Sequence, residues 1–503
     1  MSDPIVIIRD LLDKGLHNQV IDEGRELSPT LSNPSDQATL QVLIGRAEMF
    51  NGRLGPAVHR FRLAEYGDLG PGDRLQLGIG EAAVRFGSGG VAAVIEVIDE
   101  LEANANDDNL TLAATAGLRA WTSLEQSNSA RAVELAKIAN ERALRNQDQN
   151  HDLIVLSWLV LGLASATVGD VEEGAKALAA GIEHAKGSNH AAALPLLHLV
   201  AADTDHLRGR LDHAKYHARL SVESSEPISS GAVGVGANGL LASLADRTGD
   251  ANSAGQYVID AERALLRGAP LGWGNLALGR LRLDRTIIAE QAGQRLLDVW
   301  RYMEDQGSVG YAAIFAVPAA ELTLRLHDGP VLHEISRRLK TIKPPNAVDQ
   351  LACQLALSIM NGDITSCLEI ARTIEKSRIS RLTLTGDAFS VLANFLERRG
   401  DRRARTFADE AREIYTQMGA HGDLQRLLNR HPSIAGTSDL VLSVAERPVV
   451  MLVVEGCTNA EIAEQLFLSI KTVETHLARV YKRFGVKSRL QLVRYCESNR
   501  TIS

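Results

Sequence analysis

The sequence predicts an all-α protein, a long helical solenoid followed by a small four-helix domain, and three observations predict it. Aromatic residues make up only 4% of the 503 residues, while 45% are hydrophobic and 23% charged, a mixture that favours close-packed helices over aromatic-rich sheets. A glycine or asparagine turn returns about every 39 residues between amphipathic patterns, at Gly52, Gly89, Asn128, Gly169, Gly209, Gly249, Gly293, Gly329, Gly362 and Gly400, a spacing that fits two helices and two short connections. The C-terminal stretch differs in charge from the rest. The whole chain carries −8, yet from Ser438 onward there are nine Lys/Arg against seven Asp/Glu, and Lys471 to Arg494 holds seven against one. A basic stripe on an acidic protein is a footprint for a polyanion.

Taken in order, the N-terminus has no basic flank followed by an apolar run, so no secretory signal is expected. Cys353, Cys367, Cys457 and Cys496 form no CxxC pair, which suggests neither a disulfide framework nor a cysteine zinc site and points to the cytoplasm. An atypical first pair around Gly15 opens the repeats. Gly-Asp punctuation at Gly169-Asp170, Gly249-Asp250, Gly362-Asp363 and Gly400-Asp401 places glycine in the left-handed position that ends one helix and aspartate at the cap of the next. This pattern resembles degenerate tetratricopeptide repeats, longer than their usual ~34 residues, and predicts about eleven helical pairs over residues 1–420. Leu153 to Gly169 is uncharged but short and interrupted by Ser157, Ser165 and Thr167, so a buried helix is expected and no membrane span. Pro318 should kink its helix, Pro344-Pro345 should end a connection, and residues 421–437 should be a short helix and linker before a domain at 438–503. Stacked helical pairs create an extended concave surface whose default activity is recognition.

Catalytic signatures are missing. The chain contains no Gly-Lys dipeptide, hence no standard phosphate loop, and no HExxH, GxSxG or kinase-like set. Gly234-Val-Gly-Ala-Asn-Gly239 spells GxGxxG but follows a Ser/Gly/Pro loop instead of a strand, and reads as close helix packing. No enzyme activity, cofactor or metal is expected. Six of the fourteen histidines lie between His184 and His217, and His213 and His217 stand one helical turn apart. They could ligate a metal with Asp203 or Asp212, but spacing fixes no third ligand, and partly exposed histidines along a helix pair is the plainer reading. Trp273 with Arg280, Arg282 and Arg285 could line a ligand groove; ordinary packing and a solvated face are expected instead.

Function is most legible in residues 440–496, which read as four short helices. Ser443 with Glu446, and Thr458 with Glu461, have capping-box spacing. Ser469 caps a third helix in which Val473, Leu477, Val480, Tyr481 and Phe484 form one apolar stripe. Its other face is polar and mostly basic, short near the N-terminal end, as in the second helix of a helix–turn–helix.

The run from Asn459 to Leu492 resembles the LuxR-type DNA-binding domain of bacterial regulators. The resemblance implies that Glu474, Thr475 and Ala478 face bases, that Lys471, Thr472, His476, Arg479 and Lys482 hold the DNA backbone, and that Ser488, Leu492 and Cys496 make a dimer contact. Val444 and Pro448 depart from the usual first helix. Solenoid plus tail is similar to the C-terminal half of MalT-like regulators without their ATPase, including Gly419-Ala-His-Gly-Asp-Leu-Gln-Arg-Leu-Leu before the linker. The expectation is a cytoplasmic, homodimeric transcription regulator. Its partners would be double-stranded DNA and a small-molecule, peptide or protein effector on the solenoid, and the reading leaves RNA polymerase open as another. The rival is a repeat scaffold that mainly sequesters a partner protein.

Overall fold

The computed structural model describes residues 3–499 except 104–107, 146–150, 189, 226–230, 268–272, 285–287, 308–311, 327–328, 343, 345, 378–380, 435–445, 467, 485 and 487. Every regular element among them is helical. The chain begins with α1 (Pro4–Asp13), α2 (His17–Leu27), α3 (Pro34–Phe50), α4 (Leu54–Glu65) and α5 (Pro71–Ala103), which breaks at Gly90. It continues through α6 (Asn109–Glu125), α7 (Ser129–Leu144), α8 (His151–Val168), α9 (Val171–Gly187), α10 (Leu194–Leu207), α11 (Leu211–Ser225), α12 (Gly231–Thr248) and α13 (Ala251–Arg267). Then come α14 (Trp273–Leu283), α15 (Ala289–Asp305), α16 (Ala316–Thr323), α17 (Pro330–Thr341), α18 (Ala347–Asn361), α19 (Ile364–Ser377), α20 (Leu382–Glu397), α21 (Ala404–Met418) and α22 (His421–Arg430). With the two arms of α5 counted separately, α1 to α21 make eleven successive helical pairs among the described residues.

Local chemistry sets most of these boundaries. Gly52, Gly169, Gly209, Gly249, Gly362 and Gly400 have φ between 70° and 107°, where a side chain would clash with the following carbonyl. Asp170, Asp250 and Asp363 then accept hydrogen bonds from the amides of Glu173, Ser253 and Ser366 at 3.1–3.2 Å, capping the outgoing helices. Other expected turns fall elsewhere. The left-handed residue is Gly90, not Gly89, and Ser127 instead of Asn128 has positive φ. Gly293 lies inside α15, where its missing side chain makes room for Val331, and the turn comes at Gly307. Gly329 is extended and precedes α17. Pro318 kinks nothing: it sits in the first turn of α16, after a 3₁₀ turn at Ala312–Phe315, where its absent N–H is no loss. Pro344 lies in the α17–α18 connection, and Pro345 is outside the described residues.

α8 is the described helix long and apolar enough to cross a membrane, and 61% of it is buried in the protein. The GxGxxG glycines serve packing. A Cβ on Gly239 would come within 2.4 Å of the Leu276 amide of α14, and one on Gly279 within 2.9 Å of the Gly239 carbonyl.

The concave surface is not left open. Residues 140 to 215 positions apart touch across it, so that α18, α20 and α22 lie against α8, α10 and α12. Arg381 donates to the carbonyls of Ala166 and Thr167 at 3.1 and 2.9 Å and to Asp349 at 3.1 Å. Thr383 donates to the His206 carbonyl. Farther along, Arg247 of α12 reaches Asp387 of α20 at 2.5 Å and Asp423 of α22 at 2.8 Å. Arg282 bridges Asp246 and Asp423, and Arg426 bonds both of these acids. Gly422 permits the approach, since a Cβ there would lie 2.3 Å from the Asp246 carbonyl.

This corrects one expectation. Arg282 belongs to a buried network instead of a solvated face, while Arg280 pairs with Glu262 and the side chains of Trp273 and Arg285 lie outside the described residues. α22, expected to lead into a linker, contributes Leu424 and Leu427 to the core that also holds Trp300, Phe315, Phe389 and Phe395. Cys353 and Cys367 are buried too, and burial pushes both thiols up to about 12.

Arg247→Ala would strand Asp387 without its arginine, while Asp423 keeps Arg282 and Arg426. The expected loss is about 3–5 kcal/mol of unfolding free energy by urea titration, whereas Arg337→Ala, which breaks a surface pair with Glu334, should be nearly silent. Burial raises the Asp387 pKa, but Arg247 outweighs it and the net shift is downward. The stabilisation from this group is therefore complete above pH ~4 and fades as acid protonates Asp387 through its lowered folded pKa. Arg247→Ala should flatten that acid limb.

Candidate nucleic-acid interface

Beyond residue 445 lie α23 (Glu446–Val454), α24 (Asn459–Gln465), α25 (Ile470–Phe484) and α26 (Arg489–Asn499). They enclose a core of their own, built from Val449, Val450, Val453, Ile462, Ala463, Val473, Leu477, Val480, Leu492 and Cys496. Ser443 and Val444 lie outside the described residues. Pro448 sits in the first turn of α23, so it interrupts no helical bond.

The Thr458 box forms as expected. Thr458 Oγ1 accepts from the Glu461 amide at 3.3 Å, while Glu461 takes the Thr458 amide at 2.6 Å. The Leu468 amide closes the end of α24 on the Ala463 carbonyl at 2.9 Å. Ser469 then caps α25, accepting from the Thr472 amide at 3.1 Å. Helix, tight turn and capped helix thus follow one another within residues 458–484.

Of the stripe on α25, Val473 and Val480 are fully buried, Leu477 nearly so and Tyr481 half-buried; the side chain of Phe484 lies outside the described residues. With that stripe turned inward, Lys471, Glu474, Thr475 and Ala478 are exposed on the opposite side. The Thr475 hydroxyl donates to the Lys471 carbonyl at 2.8 Å, which leaves its methyl group and oxygen lone pairs facing out. Glu474 and Ala478 border a shallow depression with Thr458, Asn459 and Arg489.

Other expected residues are less free. Thr472 is half-buried with its hydroxyl 2.7 Å from that of Ser469, and His476 is half-buried with Nδ1 lacking a hydrogen-bond partner. The side chains of Arg479 and Lys482 lie outside the described residues. Of the residues expected at the dimer contact, Leu492 and Cys496 are 0% and 4% exposed and belong to the domain's own core, while Ser488 is exposed and caps α26 through the Gln491 amide. Their spacing of four marks the inner face of α26. Leu490, Gln491 and Arg494 face outward instead.

Sequence reasoning missed Arg489. It donates to Asn459 Oδ1 at 3.2 Å and to the Cys457 carbonyl, tying α26 to the start of α24. Only its place in the basic run could have signalled it. The histidines weighed against a metal site do not gather on Asp203: His217 lies 2.9 Å from His198, and Asp203 is held by Asn275. Among the described residues no group of three metal-ligating side chains comes together.

Residues 440–496 match the model of the luxR family of bacterial regulatory proteins. This C-terminal domain is of the LuxR type. An HTH-type transcriptional regulator of Mycobacterium tuberculosis is 54% identical over 52 residues, 10% of this chain and 6% of that protein. The oxygen regulatory protein NreC of Staphylococcus aureus is 42% identical over 69 residues, 13% of this chain and 32% of its own. The match thus spans less than two thirds of either relative and is confined to the DNA-binding end. Among solved structures, the Rap protein complexed with competence and sporulation factor aligns over 77% of this chain and all of its own, with a TM-score of 0.43 and 12% identity. The luxR-family match thus places a DNA-binding regulator domain after the successive helical pairs described above.

Thr458→Ala, which removes the box ahead of α24, should cost the domain about 1 kcal/mol. Thermal unfolding followed by circular dichroism would read this as a lower midpoint for the C-terminal transition.

Proposed function

We propose that this protein is a cytoplasmic transcription regulator that lays the N-terminal half of α25 in the major groove of operator DNA and takes its signal through the solenoid. The observation that carries the reading is the exposed face of α25, where Lys471, Glu474, Thr475 and Ala478 stand together over a fully packed underside. Short side chains at the start of a groove-docked helix reach base edges, and flanking cations meet phosphates. Glu474 can accept from a cytosine amino group, Thr475 and Ala478 can meet a thymine methyl, and Lys471, with the half-buried His476 beside it, can meet phosphate oxygens. Thr472, Arg479 and Lys482 would extend the backbone contact. In a dimer, the outward face of α26 around Leu490, 60% exposed, is the surface available for pairing. RNA polymerase is a natural partner for such a regulator once it is bound upstream of a gene.

The test is sequence-selective DNA binding by the full chain, against sites recovered by genome-wide mapping. Glu474→Lys should alter which base is preferred at one operator position by roughly 1–3 kcal/mol, because lysine donates where glutamate accepts. Lys471→Ala should weaken every sequence alike and reduce the slope of log affinity against log salt by about one unit. A chain that binds no DNA selectively but retains a protein partner through residues 1–420 would support the scaffold reading instead.

A further inference from the structure

Where the solenoid folds onto itself, the inner helices from α8 to α22 line a cavity of about 270 Å³, just below the usual range for drug-sized ligands and suited to a smaller molecule. Leu163, Val200, Leu278, Ile314 and Val317 supply an apolar wall. Most charge around it is already matched. Arg247, Arg282 and Arg426 share Asp246, Asp387 and Asp423, while Arg381 is paired with Asp349 and Arg430 with Glu321. Arg325 is engaged as well.

Asp203 is the exception. It lines the cavity with no cationic partner among the described residues, and both of its oxygens accept only from the Asn275 amide nitrogen, at 3.0 and 3.2 Å. Burial, partly offset by that amide, pushes its carboxyl up to about 7. Asn275 spends its nitrogen on Asp203, which leaves its carbonyl oxygen as a second acceptor beside the carboxylate. A half-buried carboxylate without a counter-ion costs stability. Such a conflict between local environment and fold is characteristic of a site kept for binding.

We propose that this cavity binds a small molecule bearing a primary ammonium group on an apolar body, with Asp203 as counter-charge and the Asn275 carbonyl as second acceptor. The ammonium enters the place a buried cation would occupy, and the aliphatic part lies on Leu163, Val200 and Leu278. The site gives a chemical class to the signal and rests on the sensing role proposed above. Asp387, Asp423 and Arg426 also line it, so an occupant bears on α20 and on α22, the last solenoid helix before the DNA-binding domain.

Calorimetric titration of the full chain with n-hexylamine, 1-hexanol and sodium hexanoate tests this without DNA, so failure of operator binding and failure of this site are read separately. Hexylamine should saturate one site per chain on the order of tenfold more tightly than hexanol, with hexanoate weakest. Asp203→Asn should bring hexylamine down to the level of hexanol, with a Tm equal to or above that of the unaltered protein. Leu278→Trp should fill the cavity and remove binding of both. Equal affinity for amine and alcohol, or an amine preference that survives Asp203→Asn, overturns the proposal, as does a Tm lowered by Asp203→Asn.

Discussion

The closure of the solenoid depends on a cluster of arginines and aspartates that no single helical pair contains. Arg247 on α12 is 4% exposed and serves Asp387 of α20 and Asp423 of α22 together, while Arg282 and Arg426 complete the exchange through Asp246. Each ion left water to take its place, so each must be bonded on several sides to be tolerated. That requirement fixes geometry more strictly than apolar contact does, because a guanidinium fork accepts carboxylates only along its own plane. A repeat array otherwise has contacts only between neighbours and bends freely along its length. The network ties the twelfth, fourteenth, twentieth and twenty-second helices into one body, and every feature of the interior follows from it. Apolar contacts alone could slide by a turn and still bury the same area, but the paired charges cannot.

The same closure changes what the inner surface can recognise. An open groove would suit an extended partner, whereas a closed one offers a compact space with a narrow chemical character. The arginines along it are engaged, and the lone carboxylate of Asp203 sets the sign of the remaining charge. The DNA-binding end, by contrast, needs nothing from the solenoid to form its core. Its α25 is aimed by Val473, Leu477 and Val480, and the caps at Thr458 and Ser469 set where the two helices start.

How much of this was legible varied with the range of the interaction. The eleven pairs could be read because turn glycines and aspartate caps act within four residues of themselves. Gly293 misled because a glycine chosen for close packing against Val331 looks, in sequence, like one chosen for a turn. Pro318 misled because the 3₁₀ turn before it could not be foreseen, and a proline is harmless in the first turn of a helix. At the other end, Leu492 and Cys496 were placed outward by resemblance, although their spacing of four suits the inward stripe of α26 equally well, and only the packing of α23 decides between the two faces.

By itself, the sequence determined the helical pairs, their punctuation, the helix–turn–helix and the face of α25 turned outward, because each is written in periodicities of three to four residues and in short capping motifs. Only the tertiary structure decided that the concave face closes, that Arg282 is buried, that α22 is part of the core and that Asp203 is left without a cation. Those outcomes rest on partners 36 to 215 positions away. A charged residue carries no local mark of whether its counter-ion will be water or an aspartate brought in from another turn of the superhelix.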